Sequence, residues 1–429
     1  MTMETTRPAA PVRANDRAGT WASWLMLLLP ATALTSFGLH LTLLLVLLSL
    51  GLLARRGLKD FHRTHARALR FIALGFGGYF LVSLLRMLWF GHPVSVMDGP
   101  SRLLFALACI AFVGILRPDI RLFWIGLCIG CVGAALVGGW QFLVLGEDRV
   151  KGLTHHAITF GDLAVAMGVM SFCGLSAFRG TRLAWLPPLG LLCGVLASVF
   201  SGSRGAWLGL LLALWPMLKY GSRMHGKAVR YVVGLLLLAC AAGYLLPQTG
   251  IARRVADAVS DIERYVSVHD ASTNVGIRLE LWKASGMMIA DHPLLGVGRD
   301  EFRPALLALE REGRLQKTMA LEFSSAHNDV LNTLATGGLL DLVFLLLMYG
   351  APLVFFSRML HHGPRAAAAP ALAGMLLVIS FIAFGLTDSM FWLMMTKVFY
   401  ATMACVLAGF CLAAQAAPTF PQVPHAPDA

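Results

Sequence analysis

Twelve apolar runs, separated by polar connections, account for most of the chain. They lie at roughly 21–37, 39–54, 71–90, 101–116, 122–145, 158–178, 183–200, 206–218, 231–247, 330–357, 367–387 and 390–414. A bilayer core about 30 Å thick asks for roughly 17–25 apolar residues from a spanning helix, so the pattern predicts an all-α polytopic membrane protein of about twelve transmembrane helices. A β-barrel would show short alternating segments instead. The eighth run is short unless it tilts or borrows from its flanks. One connection differs from the rest, the segment 248–329 of about 80 residues. In it "IARRVADAVSDIERYV" sets Ile251, Val255, Val259, Ile262 and Val266 at helical spacing with charges on the other face. "GIRLELWKASGMMIADHPLLGVG" predicts a second helix, stopped by His292-Pro293 and a glycine-rich turn. The expected organisation is a tail (1–20), helices 1–9 (21–247), a helical cap loop (248–329), helices 10–12 (330–414) and a second tail (415–429) whose Pro/Ala bias is that of a disordered end.

Composition sharpens this picture. The chain is 57% hydrophobic and 14% charged, against about 25% charged residues in a soluble domain. Its net charge of +12 does not point to nucleic acid, because the basic residues lie mostly between apolar runs. With the N-terminus inside, the short internal connections carry 19 Lys and Arg and the opposite short connections carry 3. That bias places both termini in the cytoplasm and the long loop outside. The ten Lys and Arg of the long loop do not oppose this, since long loops translocate largely regardless of charge. All eight cysteines fall inside apolar runs, so Cys128 and Cys131 suit helix packing better than a redox or zinc motif. The polar residues 1–20 followed by an apolar run without a convincing cleavage site predict an uncleaved first span. No internal duplication relates the two halves, and the long loop lies off the midpoint; both weigh against a repeat-built transporter.

Candidate chemistry gathers on the predicted outer face. In "SSAHNDVLNTLATGGL" the lone His327 stands just ahead of the tenth run. It is a poor helix cap beside Ser324, Ser325 and Asn328, and imidazole suits general-base work near neutral pH. Arg204 of "SGSRGAWLG" sits in a connection so short that its side chain must lie near the membrane surface. There it either snorkels or meets an anion, and Gly202 and Gly205 would allow close backbone approach to a ligand. Arg278 lies near the start of the second cap helix, where a cation opposes the helix dipole unless an anion binds beside it or a salt bridge absorbs it. Asp388, at the outer end of the eleventh run, could orient His327 or a substrate hydroxyl, or be only an interfacial carboxylate. His155, His156, His269, His292 and His327 show no zinc spacing, and no Asp-x-Asp pair is present, so no metal site is expected.

The segments "SGSRGAWLG", "GIRLELWKASGMMIADHPLLGVGRDEF" and "SSAHNDVLNTLATGGLLDLV" together resemble the O-antigen ligase family of bacterial envelope glycosyltransferases. That superfamily also holds O-antigen polymerases and protein O-oligosaccharyltransferases. The resemblance covers about residues 150–400 and implies a GT-C-type fold in the bacterial inner membrane, working on the periplasmic face without a cofactor. It implies a donor of glycan on undecaprenyl diphosphate and, for a ligase, a lipid A-core acceptor. It maps an essential His to His327 and diphosphate-facing arginines to Arg204 and Arg278, with Asp388 in support. Guanidinium groups neutralise a leaving diphosphate with bidentate geometry, and a base at His327 is worth about 10²–10⁴ in rate. A one-step displacement at the anomeric carbon would invert configuration. A lipid-linked glycan transporter is the competing class; it would use ionisable residues within spans, of which Arg86 and Lys397 are the clearest.

Overall fold

The computed structural model describes residues 17–35, 38–53, 57–91, 93–226, 229–234, 237–238, 251–268 and 270–415. Most of the ninth apolar run, most of the first tail, His269 and nearly all of the second tail lie outside the described residues. Apart from an isolated β-bridge between Thr35 and Leu153, the regular structure described is helical. The longer helices are α1 (Arg17–Ala31), α2 (Gly38–Leu53), α3 (Leu58–Phe90), α4 (Asp98–Leu116), α5 (Ile120–Leu143), α6 (Ala157–Cys173), α7 (Leu186–Ser201) and α8 (Arg204–Pro216). They are followed by α9 (Ile251–Val268), α10 (Asn274–Asp291), α11 (Phe302–Arg311), α12 (Asp329–His362), α13 (Ala368–Gly385) and α14 (Met394–Gln415). Among the described residues seven helical segments, with their short flanking turns, are long and apolar enough to cross a membrane: those built on α3, α4, α5, α6, α12, α13 and α14. This is a multi-pass membrane protein. The apolar runs that became α1, α2, α7 and α8 form helices of 13–16 residues.

Local chemistry sets the helix limits. Asp119 caps α5 by accepting from Arg121 N–H at 2.9 Å, and Pro118 before it cannot continue α4. The basic stretch around residue 60, read from sequence as a connection, is instead the first turns of α3. Lys59, Arg63, Arg67 and Arg70 recur at helical spacing there, and a helix of 33 residues is about 50 Å long, well beyond an apolar core of about 30 Å. Further along α3, the exposed Leu74, Leu81, Leu85 and Leu88 run down one side, as a lipid-facing surface should. At the other extreme α6 is buried on all sides, including Asp162 at 0% exposure.

Residues 270–328 form a helical cap with its own apolar core, in which Ile277, Leu281 and Met288 of α10 meet Phe302, Leu306 and Leu309 of α11. Residues α9 and α10 read as helices from sequence, and α10 does stop at Asp291 before His292-Pro293. The orientation of α9 could not be read: Asp261 is buried and Tyr265 donates to Glu280 at 2.7 Å, while Val259, Ile262 and Val266 are exposed. An apolar stripe turned outward beside a membrane domain suits the lipid interface.

The tenth run is not one straight helix. Gly338 takes φ 65°, ψ −165° inside α12, and the cap threads its Pro293–Gly298 turn into the break. Val297 N–H donates to Ala335 O at 2.8 Å, Gly298 N–H to Thr336 O at 3.0 Å and Leu339 N–H to Pro293 O at 2.9 Å. Arg86 of α3 completes the repair, pairing with Asp341 at 2.7 Å and donating to Gly337 O at 2.8 Å. Backbone groups freed within a membrane helix need such partners. Arg86, a candidate coupling charge in the transporter reading, therefore has a structural use.

Candidate functional site

The site forms where the cap meets three membrane-domain connections. Asn328, not His327, caps α12, its side chain accepting from Leu331 N–H at 3.0 Å. His327 stands one residue before the cap with φ 48°, a left-handed conformation that costs a non-glycine residue about 1–2 kcal/mol. The turn holds it there: Asn328 Nδ2 donates to Leu386 O at 3.2 Å, and the Phe323 ring meets the imidazole edge-on at 5.3 Å. Backbone strain of this kind gathers where a side chain has to be aimed.

His327 is aimed at Asp388. Its Nδ1 lies 2.9 Å from Asp388 Oδ1, which also accepts from Ser389 N–H at 2.8 Å. Asp388 is 3% exposed. Burial pushes its carboxyl up, but the hydrogen bond and charge of His327 together with the Ser389 N–H outweigh this and hold it below its ordinary value. An ionised Asp388 can only accept, so it selects the tautomer with the proton on Nδ1 and leaves Nε2 with a free lone pair.

Beside this pair a cavity of about 230 Å³ is lined by Arg149, Arg204, Arg278, Gly202, Ser203 and Thr387, among others. Thr387, next to Asp388 in the chain, lines the cavity, and the Asp388 charge reaches Arg278 across it, so the dyad lies close by. Among the described residues none of the three arginines makes a hydrogen bond or ion pair with a side-chain carboxylate. Burial, and the charges of Arg204 and Arg149, push the Arg278 guanidinium down despite the opposing pull of Asp388; a guanidinium so placed remains a cation. Asp257 also lines the cavity, so three guanidinium groups face one carboxylate there, an excess of positive charge that suits an anion.

Two glycines shape it, each for its own reason. Gly202 supplies the left-handed turn, φ 66°, that ends α7 and lets Ser203 begin α8. Gly205, which lines the cavity, also permits the close approach of Thr387 Oγ1: a Cβ at Gly205 would collide with that hydroxyl. This contact seats the 386–393 loop on α8. Below it Ser203 Oγ donates to Asp162 Oδ1 at 2.5 Å, while Asp162 Oδ2 has no partner among the described residues.

The structure thus brings together His327, Arg204, Arg278 and Asp388, and adds Arg149, Asp162, Ser203 and His156, none of which had been singled out from sequence as part of this cluster. Burial pushes the His156 imidazole down, partly offset by Asp388. Asp162 did carry a signal, as an acid inside an apolar run; Arg149 looked like any connection-borne cation. Among the described residues no three His, Cys, Asp or Glu side chains cluster so as to hold a metal ion.

Residues 189–348 match the family model Wzy_C, described as O-antigen ligase. The chain carries an O-antigen ligase family domain. The matched stretch of this ligase-family domain includes Arg204, Arg278 and His327, whereas Arg149, Asp162 and Asp388 reach the site from outside it. The domain's chain is also similar to a protein of Haemophilus influenzae described only as uncharacterized, 24% identical over 343 residues, covering 77% of this chain and 83% of that one. The family match and the helical membrane fold together support a membrane glycosyltransferase of the ligase or polymerase type.

Proposed function

We propose that the protein is an O-antigen ligase that moves a glycan from undecaprenyl diphosphate to a sugar hydroxyl of lipid A-core. The observation that carries this reading is the His327–Asp388 dyad beside a cavity lined by three guanidinium groups, none of them bonded to a carboxylate among the described residues. The acceptor hydroxyl gives its proton to His327 Nε2 as its oxygen attacks the anomeric carbon. Asp388 steadies the imidazolium that forms. The bond from that carbon to the diphosphate oxygen breaks, and the electron pair leaves with the diphosphate, whose charge Arg204, Arg278 and Arg149 neutralise. One displacement inverts configuration. Three guanidinium groups supply the charge compensation that a divalent ion would otherwise provide, so the reaction runs without metal.

In this reading the fold is of the GT-C type, with about twelve spans in the bacterial inner membrane and both termini cytoplasmic. The cap and its site are periplasmic, where the lipid-linked donor and the acceptor meet. The 19-to-3 bias of basic residues between the two sets of short connections supports that orientation.

The test is a reconstituted transfer with purified protein, undecaprenyl-diphosphate-linked glycan and lipid A-core. Glycan on lipid A-core is the expected product. Lengthened donor with unmodified lipid A-core would make the protein a polymerase, and product on protein alone an O-oligosaccharyltransferase.

A further inference from the structure

A second basic cluster lies near the start of α12. Lys397, in the first turn of α14, is 1% exposed, and its Nζ has no hydrogen-bond partner among the described residues. Arg299, from the cap turn, donates to Tyr79 OH at 3.3 Å and lies 5.5 Å from the Trp392 ring centre. The two cationic groups converge on the backbone of Gly99, where an added Cβ would stand 3.0 Å from Lys397 Nζ and 3.6 Å from Arg299 Nη2.

Three nearby carboxylates have partners of their own. Asp329 accepts from Phe391 N–H at 3.0 Å and Tyr349 OH at 2.7 Å, Asp98 pairs with Arg102 at 2.9 Å, and Asp341 pairs with Arg86 at 2.7 Å. Two basic side chains meet at one buried place without a bonded counter-charge among the described residues, and an anion between them would offset the cost of charging both there. Arg299 also opens onto two cavities. One is polar, with Tyr79, Asn332, Thr333, Thr336, Asp329 and Asp341 in its wall; the other runs along Met87, Phe90, Val96 and Leu295, with Arg86, Asp300, Glu301 and Asp341 at its polar end, and Lys397 lies behind both. A buried basic pair beside a partly apolar groove fits a phosphate group carried by a membrane amphiphile.

Resting on the ligase reading, the geometry points to Arg299 and Lys397 as the site for a phosphate of the lipid acceptor. Both anion sites share the same small frame. The 386–393 loop bears Asp388 toward the first and Phe391 and Trp392 toward the second, and Asp329 is two residues from His327. Donor diphosphate and acceptor phosphate then flank one base, an arrangement that orients the acceptor hydroxyl.

The experiment measures binding to the detergent-solubilised full chain by native mass spectrometry, with lipid A-core, phosphatase-treated lipid A-core and phosphatidylglycerol as probes. The proteins are wild type, Arg299→Gln and Lys397→Met, each checked by thermal unfolding. Lipid A-core binding should weaken tenfold or more in a folded variant, while binding of the phosphatase-treated form stays unchanged. If only phosphatidylglycerol binding weakens, the phosphate site stands and its assignment to the acceptor is overturned. If Arg299→Gln, on the half-buried cap turn, unfolds like wild type and binds all three probes equally well, the site itself is overturned. Binding is read without turnover, so failure of the ligase reading would show separately, as absent glycan transfer by wild type.

Discussion

Replacing Asp388 by Asn tests the dyad with little change of shape. The carboxylate lies 2.9 Å from His327 Nδ1, which places the two charge centres about 4 Å apart once the imidazole is protonated. At an effective dielectric of 20 their attraction is about 4 kcal/mol. Asn retains a hydrogen bond but no charge, and an amide turned to donate toward Nδ1 would favour the wrong tautomer. The transition state should therefore lose about 3–4 kcal/mol, or about 10²–10³ in turnover at 1.36 kcal/mol per decade. Initial rates of glycan transfer under donor saturation read this directly. The same variant has a pH signature in folding. Because the Asp388 carboxyl is held below its ordinary value, its contribution is fully present above the unfolded carboxylate pKa of about 3.9 and is lost as pH falls through the folded value. Wild type should lose thermal stability below about pH 4 more steeply than Asp388→Asn. An Asn variant with wild-type turnover would refute the orienting role, whatever its stability.

Three further outcomes follow from the same geometry. Arg278→Lys should lower turnover at least tenfold though it keeps the charge, since an ammonium cannot grip a diphosphate in bidentate fashion; steady-state transfer kinetics measure this, and a wild-type rate would sink the clamp. Arg86→Gln should destabilise the protein by about 2 kcal/mol, the partly exposed pair being worth less than a fully buried one, with a melting-temperature drop in detergent as the readout; an unchanged melting temperature would mean the α12 break holds without Arg86. A periplasm-specific reporter fused after Gly313 should be active, and one reading as cytoplasmic would invert the orientation of the whole site.

Hydropathy made the helices legible, because lipid imposes length and apolarity on each of them. It could not show the break at Gly338, since the glycine pair 337–338 reads equally well as a packing surface. What decides is the cap turn 293–298 that bonds into the gap, a contact set by tertiary structure. Likewise the cap pattern correctly made α9 amphipathic, but only the buried Asp261 and the Tyr265–Glu280 bond tell which face meets protein. At the candidate site, His327, Arg204 and Arg278 stood out as polar residues where lipid or helix dipoles disfavour them. The left-handed backbone at His327 and its bond to a residue 61 positions away have no local signal. Arg149 was hidden among topogenic cations, and Asp162 was overlooked inside a run whose hydropathy masked a single acid.

The central claim is that His327 removes the acceptor proton. Reconstituted transfer from undecaprenyl-diphosphate-linked glycan to lipid A-core, run with wild type and His327→Ala in parallel, tests it most directly. The account predicts that the variant still folds and binds donor while its transfer rate falls by about 10²–10⁴. A variant that transfers glycan as fast as wild type would make His327 a surface histidine and contradict the account.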